Sequence, residues 1–319
     1  MTVRVYKSTD TDAPQILGSR AGDLINLLDK CLVTGYGSKL PAGWTKPFVG
    51  TNLAAFKQGA GSNGMYLRVD DTSVAATSRM AKVKGFTSMT DVNSGVGQFP
   101  TEAQYAGGLN WMLFQSGTAS YARNWILVAD EKLFYLSIET APENSSTQSS
   151  DYYREFMYFG DINKYGTTDE SATVLWGHQN TTFNTSHNVP FDSSTLNVSY
   201  SGLFLARSFS NLGGSLPAGH HHDYYKSGGQ SVWGSPSSYL SYPHGPDGGL
   251  IFSPVWVHEP GTAGGAHIRG TLPGVWAPLQ NVFAHGDTFE GQGELAGRTF
   301  LVFKHYQSRC ALEISDTWR

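Results

Sequence analysis

The chain has 319 residues, of which 15% are charged and 13% aromatic, and its net charge is −4. That balance excludes the basic footprint of a nucleic-acid binder. No stretch approaches the run of about eighteen apolar residues that a membrane span needs, and Met1-Thr-Val-Arg-Val-Tyr6 lacks the apolar core of a secretory signal. Abundant glycine (37 residues) beside the aromatics suits a β-rich protein with many tight turns. Cys31 and Cys310 lie near opposite ends of the chain, so two thiols are expected, and a disulfide only if the ends meet.

Residues 21–33 predict the one long helix. Leu24, Leu27, Leu28, Cys31 and Leu32 fall on a single stripe at helical spacing, Ser19 or Asp23 is the candidate N-terminal cap, and Gly35 is the stop. An ordered loop with buried aromatics follows, from Gly35 to Phe48. Short strands are predicted at Asn52–Gln58, Met65–Asp70 and Ala81–Met89, leading through Trp111-Met-Leu-Phe114 to the best-patterned segment, Arg123–Ile138. Within it, Trp125–Ala129 and Leu133–Ile138 are almost continuously apolar and are separated by Asp130-Glu131-Lys132, which predicts a hairpin. Without polar alternation neither strand has a wet face. Both faces must be covered, by other strands of the chain or by another subunit.

A polar loop, Glu139–Asp151, leads to a buried strand at Phe156–Ile162. Residues 166–248 are rich in Ser, Asn, Gly, Tyr and His, and show one clear strand, Leu203–Ala206. Further strands are predicted at Gly249–His258, His267–Leu272, Thr299–His305 and Ala311–Ile314, with Pro254 inside a strand, marking an edge or bulge, and Pro273 just after one. The expected fold is mainly β, with α+β at the margin: antiparallel sheets in a sandwich- or barrel-like core, one N-terminal amphipathic helix and a long irregular insertion. In outline, 1–165 is the helix plus β core, 166–248 the insertion or projecting region, and 249–319 the strands that complete the core. Four sequons, at Asn144, Asn180, Asn184 and Asn197, reflect the Asn/Ser/Thr bias of that part of the chain rather than glycosylation.

Several motifs bear on chemistry. Gly59-Ala-Gly-Ser-Asn-Gly64 matches the dinucleotide fingerprint, but a strand is expected after it instead of the required helix, so it reads as a hairpin turn. Gly219-His-His-His-Asp-Tyr-Tyr225 is the densest polar cluster. In an extended segment His220 and His222 share a side, so those two with Asp223 are the candidate ligands for a divalent metal, against the expected alternative of a solvated or interfacial loop. No cofactor is otherwise expected. Asp70-Asp71 and Asp130-Glu131 are carboxylate pairs at strand ends or turns, expected to be solvated. The chain contains no G-x-S-x-G, Walker A or H-E-x-x-H pattern, so no reaction is indicated. Tyr224, Tyr225, Trp233, Tyr239 and Tyr242 are candidates for an interaction surface such as a sugar-stacking platform, with packing within the fold or against a neighbouring subunit as the expected alternative.

Two stretches carry a resemblance. The first runs from Asp23-Leu-Ile-Asn-Leu-Leu-Asp-Lys-Cys-Leu-Val-Thr-Gly-Tyr-Gly37 through Ala42-Gly-Trp-Thr-Lys-Pro-Phe48 to Tyr66-Leu-Arg-Val-Asp-Asp71. The second comprises Leu272-Pro-Gly-Val-Trp-Ala-Pro-Leu279, Gly293-Glu-Leu-Ala-Gly-Arg-Thr-Phe-Leu301 and Ser315-Asp-Thr-Trp318. Together they resemble a family of tailed-bacteriophage virion structural proteins of tail or baseplate type. Residues 166–248 fall outside the resemblance. It implies a non-enzymatic subunit made in the host cytoplasm and located in the virion. The implied partners are other virion proteins and copies of the chain itself, with no nucleic acid and no membrane insertion. A head-decoration or fibre-base role is a close variant. The rival expectation is a tail-tip protein that recognises or cleaves host-surface glycan through residues 217–245.

Overall fold

The computed structural model describes residues 2–73, 79–115, 120–141, 154–178, 202–221, 248–250, 253–260, 266–277, 282–304, 309–316 and 318. The described chain is mainly β, with antiparallel sheets and a sandwich-like core. Its N-terminal half contains β1 (Arg4–Lys7), helix α1 (Asp23–Leu28), β2 (Thr45–Gly50), β3 (Leu53–Lys57), β4 (Tyr66–Asp70), β5 (Arg79–Phe86), β6 (Ser88–Asp91), β7 (Ser94–Val96) and β8 (Leu109–Phe114). The centre supplies β9 (Trp125–Ala129), β10 (Leu133–Glu139), β11 (Arg154–Asp161), β12 (Asn163–Lys164), β13 (Thr173–Trp176), β14 (Leu203–Leu205) and β15 (Leu216–His221). Last come β16 (Ser253–Pro260), β17 (Ala266–Ala277), β18 (Thr288–Glu290), β19 (Thr299–Lys304) and β20 (Arg309–Glu313).

One 13-stranded sheet runs β1-β9-β10-β11-β13-β14-β15-β16-β17-β20-β19-β18, with β12 pairing back onto β17. A five-stranded sheet, β2-β3-β4-β5-β8, stands apart from it, and β6-β7 form a small exposed hairpin. The predicted central hairpin is β9-β10, and β11 lies beside it in register, Tyr135 opposite Tyr158 and Leu136 opposite Met157.

The missing polar alternation of that hairpin now has its cause. Trp125, Leu127, Ala129, Phe134, Leu136 and Ile138 belong to one hydrophobic core, while Val128, Leu133 and Tyr135 belong to another. Side chains alternate across a strand, so an almost continuous apolar run is what a wall between two cores demands. The first core is closed by α1 and the five-stranded sheet, through residues such as Leu24, Leu27, Phe56, Leu67, Val83 and Trp111. The second is closed by the far end of the main sheet curling back, through Val257, Val275, Leu301, Phe303 and Leu312. Each large apolar side chain fully buried this way contributes about 1.5–3 kcal/mol. Both faces of the hairpin are therefore covered by the chain's own strands.

The predicted helical stripe is wholly buried, and α1 continues as a π-helical turn over Asp29–Thr34, ending at Gly35 with φ 79°. The cap differs from expectation. Ser19 and Asp23 do not cap the helix: Gly22 occupies the cap position in the left-handed region, and Asp23 accepts instead from Leu17 N–H (2.8 Å) and Arg20 Nε (2.5 Å). The orphan amide of Leu24 donates to the Asp71 carboxylate (2.9 Å), which arrives at the end of β4.

The ends of the chain do meet, with Val3 N–H donating to Asp316 C=O (3.0 Å). Even so, Cys31 and Cys310 are free, because one lies in the first core and the other in the second. Pro254 sits at a bulge, as its position suggested. Pro273 does not follow a strand but lies inside β17, which runs on to Ala277. Thr45–Gly50, within and beyond the expected loop, is the strand β2, and Ala81–Met89 divides into β5 and β6. The described parts of 166–248 supply three strands of the main sheet, β13, β14 and β15. The four sequons and residues 142–153 lie outside the described residues.

Candidate functional site

The G-x-G-x-x-G stretch is a hairpin loop between β3 and β4, and its polar groups are used within the fold. Gly59 N–H donates to Glu131 C=O (2.7 Å), Asn63 N–H to Asp161 (2.7 Å) and Gly64 N–H to Ser62 Oγ (3.1 Å). Asp161 also accepts from Gln58 Nε2 (2.8 Å) and Thr173 Oγ1 (2.6 Å), which docks the loop on the central strands. Burial pushes the Asp161 carboxyl up, against the pull of these donors. With those three amides committed and a strand following, nothing of the phosphate cradle is present in the loop.

Two expected solvated carboxylates prove to be buried. Asp71 pairs with fully buried Arg79 while capping α1; desolvation raises its carboxyl to about 6 against Arg79 and the Leu24 amide. Asp130 shapes the hairpin turn by accepting from the N–H groups of Lys132 (2.7 Å) and Leu133 (2.9 Å). Both are structural. Of the metal candidates, His220 lies on β15 opposite Val257, whereas His222 and Asp223 lie outside the described residues. The described residues bring together no group of three His, Cys, Asp or Glu suited to a metal. Tyr224, Tyr225, Trp233, Tyr239 and Tyr242 also lie outside the described residues.

The most developed polar cluster was not foreseen. Arg269, buried on β17, makes a two-pronged contact with Asp169, Nε to Oδ2 at 2.6 Å and Nη2 to Oδ1 at 2.7 Å. Its Nη1 reaches Glu259 of β16 (2.5 Å) and the backbone oxygen of Arg207 (2.9 Å). Buried paired carboxylates are the residue types of glycosidic acid–base chemistry. Here Arg269 engages both, so the cluster ties three segments together.

Around this cluster several large hydrophobic side chains are exposed: Tyr165, Phe209 and Ile268, on the segments it joins, at 61%, 55% and 52%, and Leu212, three residues after Phe209, at 93%. Tyr165 N–H donates to Arg269 C=O (2.9 Å), and its hydroxyl accepts from Trp256 Nε1 (2.8 Å). Phe209 N–H donates to Glu259 (3.2 Å), and its ring lies 5.3 Å from His267 beside Ile268. Ion-paired arginine thus anchors the backbone that displays these side chains. Exposed hydrophobic residues gain meaning when they form a contiguous patch, and single ones need no explanation. The sequence signal was slight: Phe209 and Leu212 stand alone in the polar run Arg207-Ser-Phe-Ser-Asn-Leu-Gly-Gly214.

A further buried pair lies within the main sheet, where the five-stranded sheet meets it. Glu155 bonds His178 Nε2 (2.5 Å from Oε1), and burial raises the Glu155 carboxyl against the pull of His178. The backbones of His178 and Asn110 exchange two hydrogen bonds of 2.8 Å, which fastens β8 to the segment after β13. No protein-family model matches the chain, and comparison with curated proteins finds no match.

Proposed function

We propose that the chain is a structural subunit of a phage virion, of tail or baseplate type, acting by association with other virion proteins and with copies of itself and not by catalysis. The observation that carries this reading is the exposure of the large apolar side chains Tyr165, Phe209, Leu212 and Ile268, the first, second and last of them on segments tied to the ion-paired Arg269. The apolar hairpin gives no support, since the chain itself covers it.

The segments that carry the family resemblance give a second line of support. Trp44 donates to Asp130 C=O (2.8 Å) and packs edge-on against Phe134, while Asp71 caps α1. From the other end, Trp318 lies against Tyr135 and over Gly274, where a Cβ would come within 2.5 Å of the indole. Residues from both resembling stretches thus converge on the β9-β10 hairpin. A likeness concentrated in such residues is a likeness of scaffold, as expected for a family whose work is to hold shape.

Sedimentation of the purified chain, alone and with the other tail proteins of its phage, tests the reading. The expected result is an oligomer or a co-sedimenting complex, lost in the variant Phe209→Ser/Leu212→Ser with an unchanged circular-dichroism spectrum. A strictly monomeric wild-type chain that joins no virion protein overturns it.

A further inference from the structure

Beside β18 opens a cleft of about 450 Å³, whose lining includes Phe283, Phe289, Glu290, Gln292 and the glycines 249 and 293. Its volume falls within the roughly 300–1,000 Å³ of small-ligand sites. One wall is an aromatic column. The rings of Phe283 and Phe289 lie 4.7 Å apart and 6° from parallel; Phe289 stacks on buried Phe300 at 5.3 Å, and Trp276 meets Phe300 edge-on. Phe283 and Phe289 are both partly exposed, so the column begins in the interior and ends at the cleft. Rings held from below keep a fixed orientation, so a ligand that stacks on them pays little ordering entropy.

Leu250 and Leu295 extend the apolar part of the lining, and what remains is two polar side chains and bare glycine backbone. Glu290 and Gln292 are exposed, and a Cβ placed on Gly249 or Gly293 would meet nothing within 4 Å. Both Glu290 carboxylate oxygens accept from Thr299 Oγ1, at 2.9 and 3.0 Å, which fixes the group. A carboxylate has about four acceptor positions, so capacity remains for further donors. The cleft thus offers a rigid apolar face next to a fixed acceptor and an amide that donates and accepts.

We propose that this cleft binds a neutral saccharide, one pyranose ring laid on the Phe283 face and its hydroxyls bonded to Glu290 and Gln292. A pyranose has that same division, a C–H face and a rim of hydroxyl groups. An anionic ligand is disfavoured because the charged group among the cleft's described lining residues is a carboxylate. A purely aromatic ligand would stack on the rings but make no use of Glu290 or Gln292. The site goes beyond assembly and lies away from the Tyr165–Ile268 surface, so either reading can fail alone.

The test is saturation-transfer NMR and calorimetric titration of the full chain with neutral oligosaccharides of glucose, galactose, mannose and N-acetylglucosamine. Saturable binding of at least one is expected, weakened tenfold or more by Phe283→Ala and several-fold by Glu290→Gln, and unchanged in Tyr121→Ala, a substitution at an exposed ring elsewhere. Absence of binding to every sugar overturns the proposal, as does binding of aromatic probes alone. Affinity unchanged in Glu290→Gln also overturns it, and that near-isosteric variant serves if Phe283→Ala fails to fold.

Discussion

The two faces of the central sheet are closed by different parts of the chain, and each closure relies on a buried arginine. On one side Arg79 holds Asp71, whose carboxylate caps α1, and the charge is spent entirely on joining a helix to a strand inside the molecule. On the other side Arg269 holds Asp169 and Glu259, and the backbone it fixes carries Tyr165, Phe209 and Ile268 outward. A buried ion pair is weak grounds for stability, because desolvation offsets much of the attraction, yet breaking one is expensive. The contrast is in what each pair positions: one orients a core element, the other a surface.

The largest expected effect comes from removing the guanidinium in either place. Arg79→Leu and Arg269→Leu should each lose about 3–5 kcal/mol in urea denaturation, since the first leaves Asp71, and the second Asp169 and Glu259, buried without the arginine partner. Only Arg269→Leu should also weaken association in sedimentation at temperatures where both variants remain folded. Equal loss of association in both would erase the distinction between the two sides.

A smaller effect probes the shared wall. Tyr135 donates from its hydroxyl to Pro273 C=O (2.9 Å), so Tyr135→Phe should cost about 1–3 kcal/mol by stranding a buried carbonyl. Unfolding followed by near-ultraviolet circular dichroism measures it.

The last effect depends on pH. His285 accepts from Lys304 N–H (3.1 Å), and burial followed by the charges of Arg154, Lys304 and Lys7 lowers its pKa from 6.5 to about 3. Between those values the unfolded chain binds the proton and the folded chain does not, so stability falls as pH drops through that window. The slope approaches about 1.4 kcal/mol per pH unit at most, and the partial exposure of the residue reduces it. His285→Gln should therefore lose less stability than the wild type between pH 6.5 and 4.

What the sequence revealed followed from local period. The stripe of Leu24, Leu27, Leu28, Cys31 and Leu32 is visible within one helix, and the unbroken apolar runs around Asp130 already require two covered faces. What it hid lies in distant pairings. The cap of α1 is 47 residues away at Asp71, beyond any local rule. Strand β15 contains Pro217 and Gly219, both poor strand formers, and is extended because β14 and β16 pair with it on either side. The apolar surface was invisible for a related reason: Tyr165, Phe209 and Ile268 become neighbours only when β12 returns to β17 and Arg269 draws in Asp169 and Glu259. The cleft escaped notice because Phe283 and Phe289 are unremarkable until their rings stack.

Strands β9, β10 and β11 are a partition with a core on each side, and the same backbone registers serve both. Tyr135 and Phe134 are adjacent in sequence yet help fill opposite compartments. Neither compartment can be emptied while the partition stands, and neither remains closed once it is gone. The molecule should therefore melt in one calorimetric transition, with equal van't Hoff and calorimetric enthalpies, despite its size and the two cores that this partition separates.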